Sequence, residues 1–180
     1  MDANQTVTEV KKLMRELLNG KSNLADALDL SLEDILALAQ IARQFAEQGQ
    51  TDTAQTLLEG LISIDPQNAY LHTCLGCVYM QRGMTEAAFD AFNIALFFNK
   101  DDIVARTYAG ELALEQGLVE TAAEHLKRAV ELDPDGKNPW ANRARTSALL
   151  MSTIVNEVQQ KGTGVLQEMV TEARRVQGNA

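Results

Sequence analysis

Residues 69–102 read AYLHTCLGCVYMQRGMTEAAFDAFNIALFFNKDD, and the same order of small and apolar positions occurs 34 residues earlier and 34 residues later. Glycine recurs at this interval as Gly49, Gly83 and Gly117. Three further sets keep the same spacing: Ala54, Ala88 and Ala122; Leu58, Phe92 and Leu126; Leu61, Ala95 and Ala129. A fixed period of this length indicates stacked structural repeats, because each unit must bury its apolar face against a neighbour.

Each recurring position has a mechanical role in a pair of packed helices. The glycine near the middle of the repeat is expected to end the first helix with a positive φ. The small residues Ala42, Gly76 and Gly110 allow the second helix to cross closely. Pro66 and Pro134 end the second helix. This is the tetratricopeptide repeat (TPR) pattern, and it departs from its usual form at Lys100, in place of proline, and at Ala113, in place of an aromatic residue.

The flanking segments are also predicted to be helical. Val10, Met14 and Leu17 lie at helical spacing before the first repeat, and Ser31 with Asp34 predicts a capped helix start. After Pro139, a helix is predicted to about residue 160, followed by a short helix over residues 165–176. Three repeats leave terminal faces that need covering, and the helix that starts near residue 140 is the expected C-terminal cap.

These patterns predict an all-α protein of three TPR helix-turn-helix repeats that form a short superhelix, with an N-terminal helical arm and a C-terminal capping helix. The expected domains are an arm over residues 1–34, repeats over residues 35–136, and a capping helix with a tail over residues 137–180. The individual repeats are predicted at 35–68, 69–102 and 103–136.

Composition excludes several classes of function. The chain has a formal net charge of −9, with Lys and Arg scattered along it. Proteins that bind nucleic acid usually present a basic face, so neither nucleic acid nor an anionic membrane surface is an expected partner. No apolar stretch approaches the roughly 20 residues that span a bilayer, and residues 1–5 lack the features of a signal peptide. The expected location is the cytoplasm.

Motifs that carry chemistry are weak in this chain. His72, Cys74 and Cys77 could suggest a metal or redox site, but both cysteines fall within a predicted helix, and His125 is the only other histidine. Residues 161–164 lack the spacing of a phosphate-binding loop. Asp133-Pro134-Asp135-Gly136 reads as a turn. We therefore expect no enzyme activity, no metal and no cofactor.

The first helix of each TPR is expected to line a peptide-binding groove. With about 100° per residue, positions 2, 5, 9 and 12 of each repeat point away from the predicted packing positions. The groove residues predicted in this way are Leu36, Ala39, Arg43, Tyr70, Thr73, Cys77, Met80, Val104, Thr107, Glu111 and Leu114; Ala46 occupies the remaining position. The set is mostly small or apolar. Because Arg43 is its only basic member, the groove is expected to bind hydrophobic anchors of an extended peptide, and not a terminal carboxylate.

The layout of the whole chain resembles one particular TPR family. A polar start leads to Leu17-Leu18-Asn19-Gly20, then to LADAL at 24–28 and SLED at 31–34. The repeats contain LGCVY at 75–79 and Arg82-Gly83. A small acidic protein with this order of parts resembles the class II chaperones of bacterial type III secretion, which serve pore-forming translocator proteins. The resemblance covers roughly residues 10–150.

The resemblance implies a cytoplasmic, non-enzymatic virulence protein that binds secreted hydrophobic translocators before export and holds an extended client segment in its groove. It also implies a homodimer that forms through the N-terminal helix, with Val10, Leu13, Met14 and Leu17 as the self-association residues. Two alternatives stay open: a generic TPR interaction scaffold in a bacterial assembly, and a self-associating TPR protein whose groove is filled by its own arm.

Overall fold

The computed structural model describes residues 30–161, and every regular element in this range is an α-helix. The helices are α1 (Leu32–Glu47), α2 (Thr51–Ile64), α3 (Ala69–Gln81), α4 (Thr85–Phe98), α5 (Ile103–Glu115), α6 (Val119–Glu131) and α7 (Pro139–Lys161). The all-α prediction is confirmed. The predicted N-terminal arm helix and the short helix at 165–176 lie outside the described residues.

Within this range the chain forms two compact units, residues 30–109 and residues 110–161. In the first unit α1 packs on α2, α2 on α3, and α3 on α4. In the second unit α6 packs on α7. The division between the units falls inside α5, within the third predicted repeat. The repeat boundaries at 35–68, 69–102 and 103–136 stay a prediction.

Three turns of one design join the two helices of each pair. Gly49, Gly83 and Gly117 have φ values of 80°, 71° and 75°. In the first turn, the Gly49 N–H donates to the Ala46 carbonyl at 3.0 Å, and the next residue donates to the Phe45 carbonyl at 2.8 Å. This pair of bonds defines a Schellman motif, which needs a left-handed residue and therefore favours glycine. The other two turns repeat the same pattern, as the sequence predicted.

Helix α1 begins at a capping box. The Asp34 N–H donates to the Ser31 hydroxyl at 3.1 Å, and the Ser31 N–H donates to the Asp34 carboxylate at 3.0 Å. Two N–H groups that would otherwise lack a partner at the helix start are thereby satisfied. Hydrogen bonds from the Ser31 hydroxyl and N–H lower the pKa of Asp34. The predicted cap is confirmed.

The core lies where the two helices of a pair cross. Leu58, Phe92 and Leu126 are fully buried. A Cβ atom added to Gly76 would lie 2.6 Å from the Phe92 ring, and one added to Gly110 would lie 2.7 Å from Cγ of Leu126. These two glycines are therefore needed for close approach of side chains, which agrees with the role predicted from the sequence.

A polar network around Asp133 fixes the start of α7 in the second unit. The Asp133 carboxylate accepts hydrogen bonds from the N–H groups of Lys137 and Asn138, both at 3.1 Å. Arg145 forms an ion pair with the same carboxylate at 3.3 Å. Burial acts to raise the pKa of Asp133, but the backbone N–H groups and Arg145 together outweigh burial, so the pKa is lowered. The charged form of Asp133 therefore supports the folded state.

This network predicts a specific response to acid. Because the folded-state pKa of Asp133 lies below its unfolded value, its stabilising contribution is present at neutral pH and is lost as the pH falls below about 4. Asp133→Asn should lower the free energy of unfolding at pH 7 and flatten its decrease between pH 5 and pH 2. Urea unfolding at several pH values measures both effects. Asp135→Asn, at an exposed position, is the control, and equal acid dependence in the Asp133→Asn variant and the wild type would contradict the assignment.

Candidate functional site

Six of the predicted groove residues are accessible on the first helices of the first unit. These residues, which we call the groove face, are Leu36, Arg43, Tyr70, Cys77, Met80 and Val104. Arg43 is exposed, and the other five are partly buried. They occupy positions 2, 9 and 12 of the repeat register on α1, α3 and α5. The face combines aliphatic, aromatic and sulfur-containing side chains, which suits contact with apolar groups of a peptide.

The prediction was wrong at the fifth position of each repeat. Ala39, Thr73 and Thr107 are 0%, 6% and 0% exposed, so their side chains are not available to a ligand. In α1 the buried stripe consists of Ile35, Ala39, Ala42 and Ala46, at spacings of four, three and four residues. The fifth position belongs to this stripe. The buried face of α1 therefore lies further around the helix than the one predicted from the sequence.

The two buried threonines have structural partners within the first unit. The Thr73 hydroxyl lies 2.7 Å from the Asp102 carboxylate and 3.1 Å from the Ala69 carbonyl oxygen. Asp102 also accepts a hydrogen bond from the Ala105 N–H at 3.0 Å, which caps the start of α5. Thr73 therefore holds Asp102, the residue that caps α5, in position. The Thr107 hydroxyl donates to the Ile103 carbonyl at 2.8 Å.

Arg43 and Tyr70 form the polar part of the groove face, and the buried Cys74 interacts with Tyr70. Arg43 interacts with the Tyr70 hydroxyl and pairs with Glu47 at 3.4 Å, and both interactions raise the pKa of Arg43. Burial raises the pKa of Tyr70, although Arg43 opposes this effect. Burial also raises the pKa of Cys74 to about 11. At neutral pH the phenol and the thiol are therefore uncharged, and the single cation among the predicted groove residues already has partners.

Glu111 has a structural role in the second unit. Its carboxylate accepts hydrogen bonds from Arg143 at 2.8 Å and 2.6 Å and from the Ser147 hydroxyl at 2.9 Å. A two-point arginine–carboxylate pair holds both groups in a fixed geometry. Glu111 therefore anchors α7, and its place in a peptide-binding groove stays a prediction.

Leu114, the last predicted groove residue, lines a cavity of about 550 Å³ in the second unit. Helix α7 supplies much of the lining, including Leu150, Met151 and Ile154. These residues were missed because α7 was interpreted only as a cap. The consecutive apolar residues at 149–151 are the signal that could have revealed them.

A second apolar cavity, of about 760 Å³, opens between α1 and α2 in the first unit. It is lined by Leu38, Phe45, Asp52, Thr53, Thr56, Leu57, Gly60, Leu61 and Ile64. These residues belong to the first repeat, whose outer face was expected to need a cover. The predicted self-association residues Val10, Leu13, Met14 and Leu17 lie outside the described residues.

Within residues 30–161 the structure contains no group of three or more side chains suited to hold a metal ion. His72 is buried, with Nε2 2.9 Å from the Pro66 carbonyl oxygen. Cys74 and Cys77 do not form a disulfide. In the same range, no helix combines the length and the apolar character needed to cross a membrane.

Comparison of sequences identifies TPR relatives. The family model described as "Tetratricopeptide repeat" matches residues 36–68. The chain is 30% identical over 132 residues to the Caenorhabditis elegans tetratricopeptide repeat-containing protein trd-1, covering 72% of this chain and 16% of that protein. It is 29% identical over 123 residues to Homo sapiens protein O-mannosyl-transferase TMTC1, covering 66% of this chain and 14% of that protein. The chain thus spans less than one fifth of either relative.

Comparison of structures confirms the TPR fold. A type III secretion complex from Aeromonas hydrophila has a TM-score of 0.68 at 20% identity, covering 79% of this chain and 97% of that chain. The Yersinia enterocolitica type III secretion translocator chaperone SycD has a TM-score of 0.62 at 17% identity, with coverages of 72% and 98%. The first TPR of Spaghetti (RPAP3), bound to the HSP90 peptide SRMEEVD, has a TM-score of 0.62 at 21% identity, with coverages of 70% and 96%.

Proposed function

We propose that this chain is a cytoplasmic chaperone of bacterial type III secretion. It binds an extended segment of a hydrophobic translocator protein on the groove face, and so keeps the translocator soluble and unassembled before export. The proposal rests on the combination of an apolar groove face with a fold similar to that of SycD. Its activity is protein binding, and it requires no cofactor.

The composition of the groove face is the observation that carries the proposal. Tyr70, Cys77 and Met80 present partly buried side chains along α3, and Leu36 and Val104 occupy the matching second position on α1 and α5. A translocator must enter a membrane, so in water it exposes apolar surface that would aggregate. An extended segment places alternate side chains on one side, and those side chains can serve as anchors on such a face.

The charge on the groove face argues against a peptide that is recognised through its terminal carboxylate. Such recognition needs several free cations or amides, because a carboxylate loses its hydration on binding. Arg43 is the only basic residue among the predicted groove residues, and it interacts with Tyr70 and Glu47. An acidic peptide of the kind bound to the Spaghetti TPR therefore has little to attract it here.

We also propose that residues 1–34 form a dimerisation arm, with Val10, Leu13, Met14 and Leu17 as its contact residues. The apolar cavity between α1 and α2 supports the view that the first repeat needs a cover, since exposed apolar surface of this kind is usually buried by a partner. The repeats at 35–68, 69–102 and 103–136 then serve as the binding module.

Co-expression with candidate translocators tests the proposal. Candidates are proteins from the same genome with two long apolar segments, and complexes are analysed by size-exclusion chromatography with light scattering. The translocator is expected to stay soluble only with this chain and to co-elute with it at a fixed stoichiometry. The chain alone is expected to elute as a homodimer. If every candidate precipitates and this chain elutes alone, the chaperone proposal is wrong.

A generic TPR scaffold is the second candidate function. The TPR-family match at residues 36–68 and the relative named as a TPR-containing protein favour this broader class. The two candidates differ in their clients, because a scaffold would bind a soluble assembly protein whose solubility does not depend on this chain. The co-expression experiment separates them, since only a chaperone rescues the solubility of its partner. A stable oligomer that binds no client would instead favour a groove filled by the chain's own arm.

A further inference from the structure

Helix α4 presents an exposed apolar patch, formed by Ile94, Phe97 and Phe98, which we call the α4 patch. The three residues are 44%, 76% and 40% exposed. The Phe97 and Phe98 rings meet edge to face, with centroids 5.1 Å apart, and Phe98 stacks on His72 at 6.0 Å. Aromatic pairs in these arrangements attract each other. Phe97 is therefore an exposed aromatic side chain that packs on Phe98, and Phe98 is in turn held by His72.

The repeats themselves show that the fold does not require apolar residues at Ile94 and Phe97. In the 34-residue register, Ile94 corresponds to Gly60 and Arg128, and Phe97 corresponds to Ser63 and Glu131. Glycine, serine and charged residues thus occupy the same positions on α2 and α6. Only the second repeat carries two large apolar side chains there, at some cost in solubility. An interaction surface on α4 accounts for this difference.

A cavity of about 330 Å³ adjoins the α4 patch and shares Ile94 with it. Its lining comes from three helices of the first unit: Glu59 and Ile62 of α2, His72, Leu75 and Tyr79 of α3, and Ala87, Asp90, Ala91 and Ile94 of α4. The lining is mostly apolar, but Glu59 and Asp90 are exposed and carry carboxylates. Glu59 accepts hydrogen bonds from Gln55 at 2.7 Å and from Tyr79 at 3.2 Å. The site is thus apolar with two acidic groups among its lining residues.

This surface is separate from the groove face. Leu75 of α3 lines the cavity, whereas Cys77 of the same helix belongs to the groove face. Residues two positions apart in a helix differ by about 200° in direction around the helix axis, so they lie on nearly opposite faces. A ligand on the α4 patch would therefore leave the groove face open.

We infer that the α4 patch and the adjoining cavity bind an amphipathic helix of a partner protein that combines large apolar residues with lysine or arginine. Helical peptides commonly bind by placing one apolar face in a groove between helices. The carboxylates of Glu59 and Asp90 select basic residues beside that apolar face. A second copy of this chain is a poorer occupant, because a symmetric contact would bring the same carboxylates of both copies together.

Two synthetic peptides test this inference on the full chain. Each is a fluorescein-labelled helix of about 18 residues with leucine on one face; one carries lysine on the other face and the second carries glutamate. Binding is measured by fluorescence anisotropy at physiological salt. The lysine peptide should bind at least about tenfold more tightly than the glutamate peptide. Phe97→Ser, which uses the residue found at position 63, should weaken binding of the lysine peptide by about tenfold or more.

Three further variants give the experiment its controls. Asp90→Lys should weaken binding of the lysine peptide and strengthen binding of the glutamate peptide. Leu149→Ser removes an exposed leucine outside the patch and should change nothing. Met80→Glu, on the groove face, should leave peptide binding intact even where it abolishes client binding, so the two proposals fail separately.

Three results would overturn the inference. They are no binding of the lysine peptide by the wild type, equal binding by the wild type and Phe97→Ser, and equal affinity for the lysine and glutamate peptides. A homodimer that dissociates in the Phe97→Ser variant, seen by light scattering, would assign the patch to a second copy of the chain and would also reject the proposed partner.

Discussion

Replacing Met80 with glutamate is expected to reduce affinity for a translocator segment by about 100-fold, which corresponds to roughly 3 kcal/mol. Met80 is partly buried on α3 and belongs to the apolar groove face. A client anchor that packs there would have to displace water from the new carboxylate without giving it a partner. Tyr70→Glu should have a similar effect and would also remove the interaction of the phenol with Arg43.

Isothermal titration with a purified translocator segment measures this loss directly. Gln81→Glu provides the matched control, because it adds the same charge at the next residue of α3, at an exposed position. Circular dichroism should show unchanged helical content in all three variants. If Met80→Glu and Tyr70→Glu both bind as tightly as the wild type, the groove face is not the client site.

The substitution Gly76→Val is expected to lower the free energy of unfolding by about 3 kcal/mol, at the upper end of the usual cost of overpacking. A Cβ atom at this position would lie 2.6–2.8 Å from three carbon atoms of the Phe92 ring. Phe92 is fully buried, and its ring stacks on Tyr108 at 5.0 Å. The ring therefore has little freedom to move away from the added atoms.

Repeat 1 provides the rescue for this defect. Its equivalent pair is Ala42 and Leu58, both fully buried, so in this repeat alanine packs opposite leucine. Gly76→Ala combined with Phe92→Leu should be more stable than the sum of the two single changes predicts, as measured by a double-mutant cycle in urea. Gly60→Ala on α2 is the control, because the added Cβ meets open space. It should raise the free energy of unfolding by up to about 1 kcal/mol. Additive energies for Gly76→Ala and Phe92→Leu would rule out the proposed steric conflict.

Local features of the sequence were sufficient to predict the fold. The turn glycines, the capping box at Ser31 and the close approach at Gly76 each depend on residues within one repeat. Such features recur every 34 residues because each repeat packs one pair of helices in the same way. The α7 helix was also predictable from its flanking proline and its apolar residues.

The site was harder to predict because it depends on contacts between elements. Thr73 was predicted to contact a ligand, but its hydroxyl donates to Asp102, which lies 29 residues further along the chain. Glu111 is held by Arg143, which comes from the capping helix. Helical periodicity places residues on a common face, but it does not state which face is buried. The α4 patch could have been found from the sequence by comparing Phe97 with its counterparts in the other repeats.

The three Schellman turns have a consequence for engineering. Each occupies three residues, at 48–50, 82–84 and 116–118, and uses the same backbone bonds at its glycine. A crossover made at one of these turns would join two helices whose ends already have matching geometry. Chimaeras that exchange a 34-residue segment between turns should therefore keep the register of the repeats, so that the segment carrying the α4 patch could be transferred into other TPR proteins.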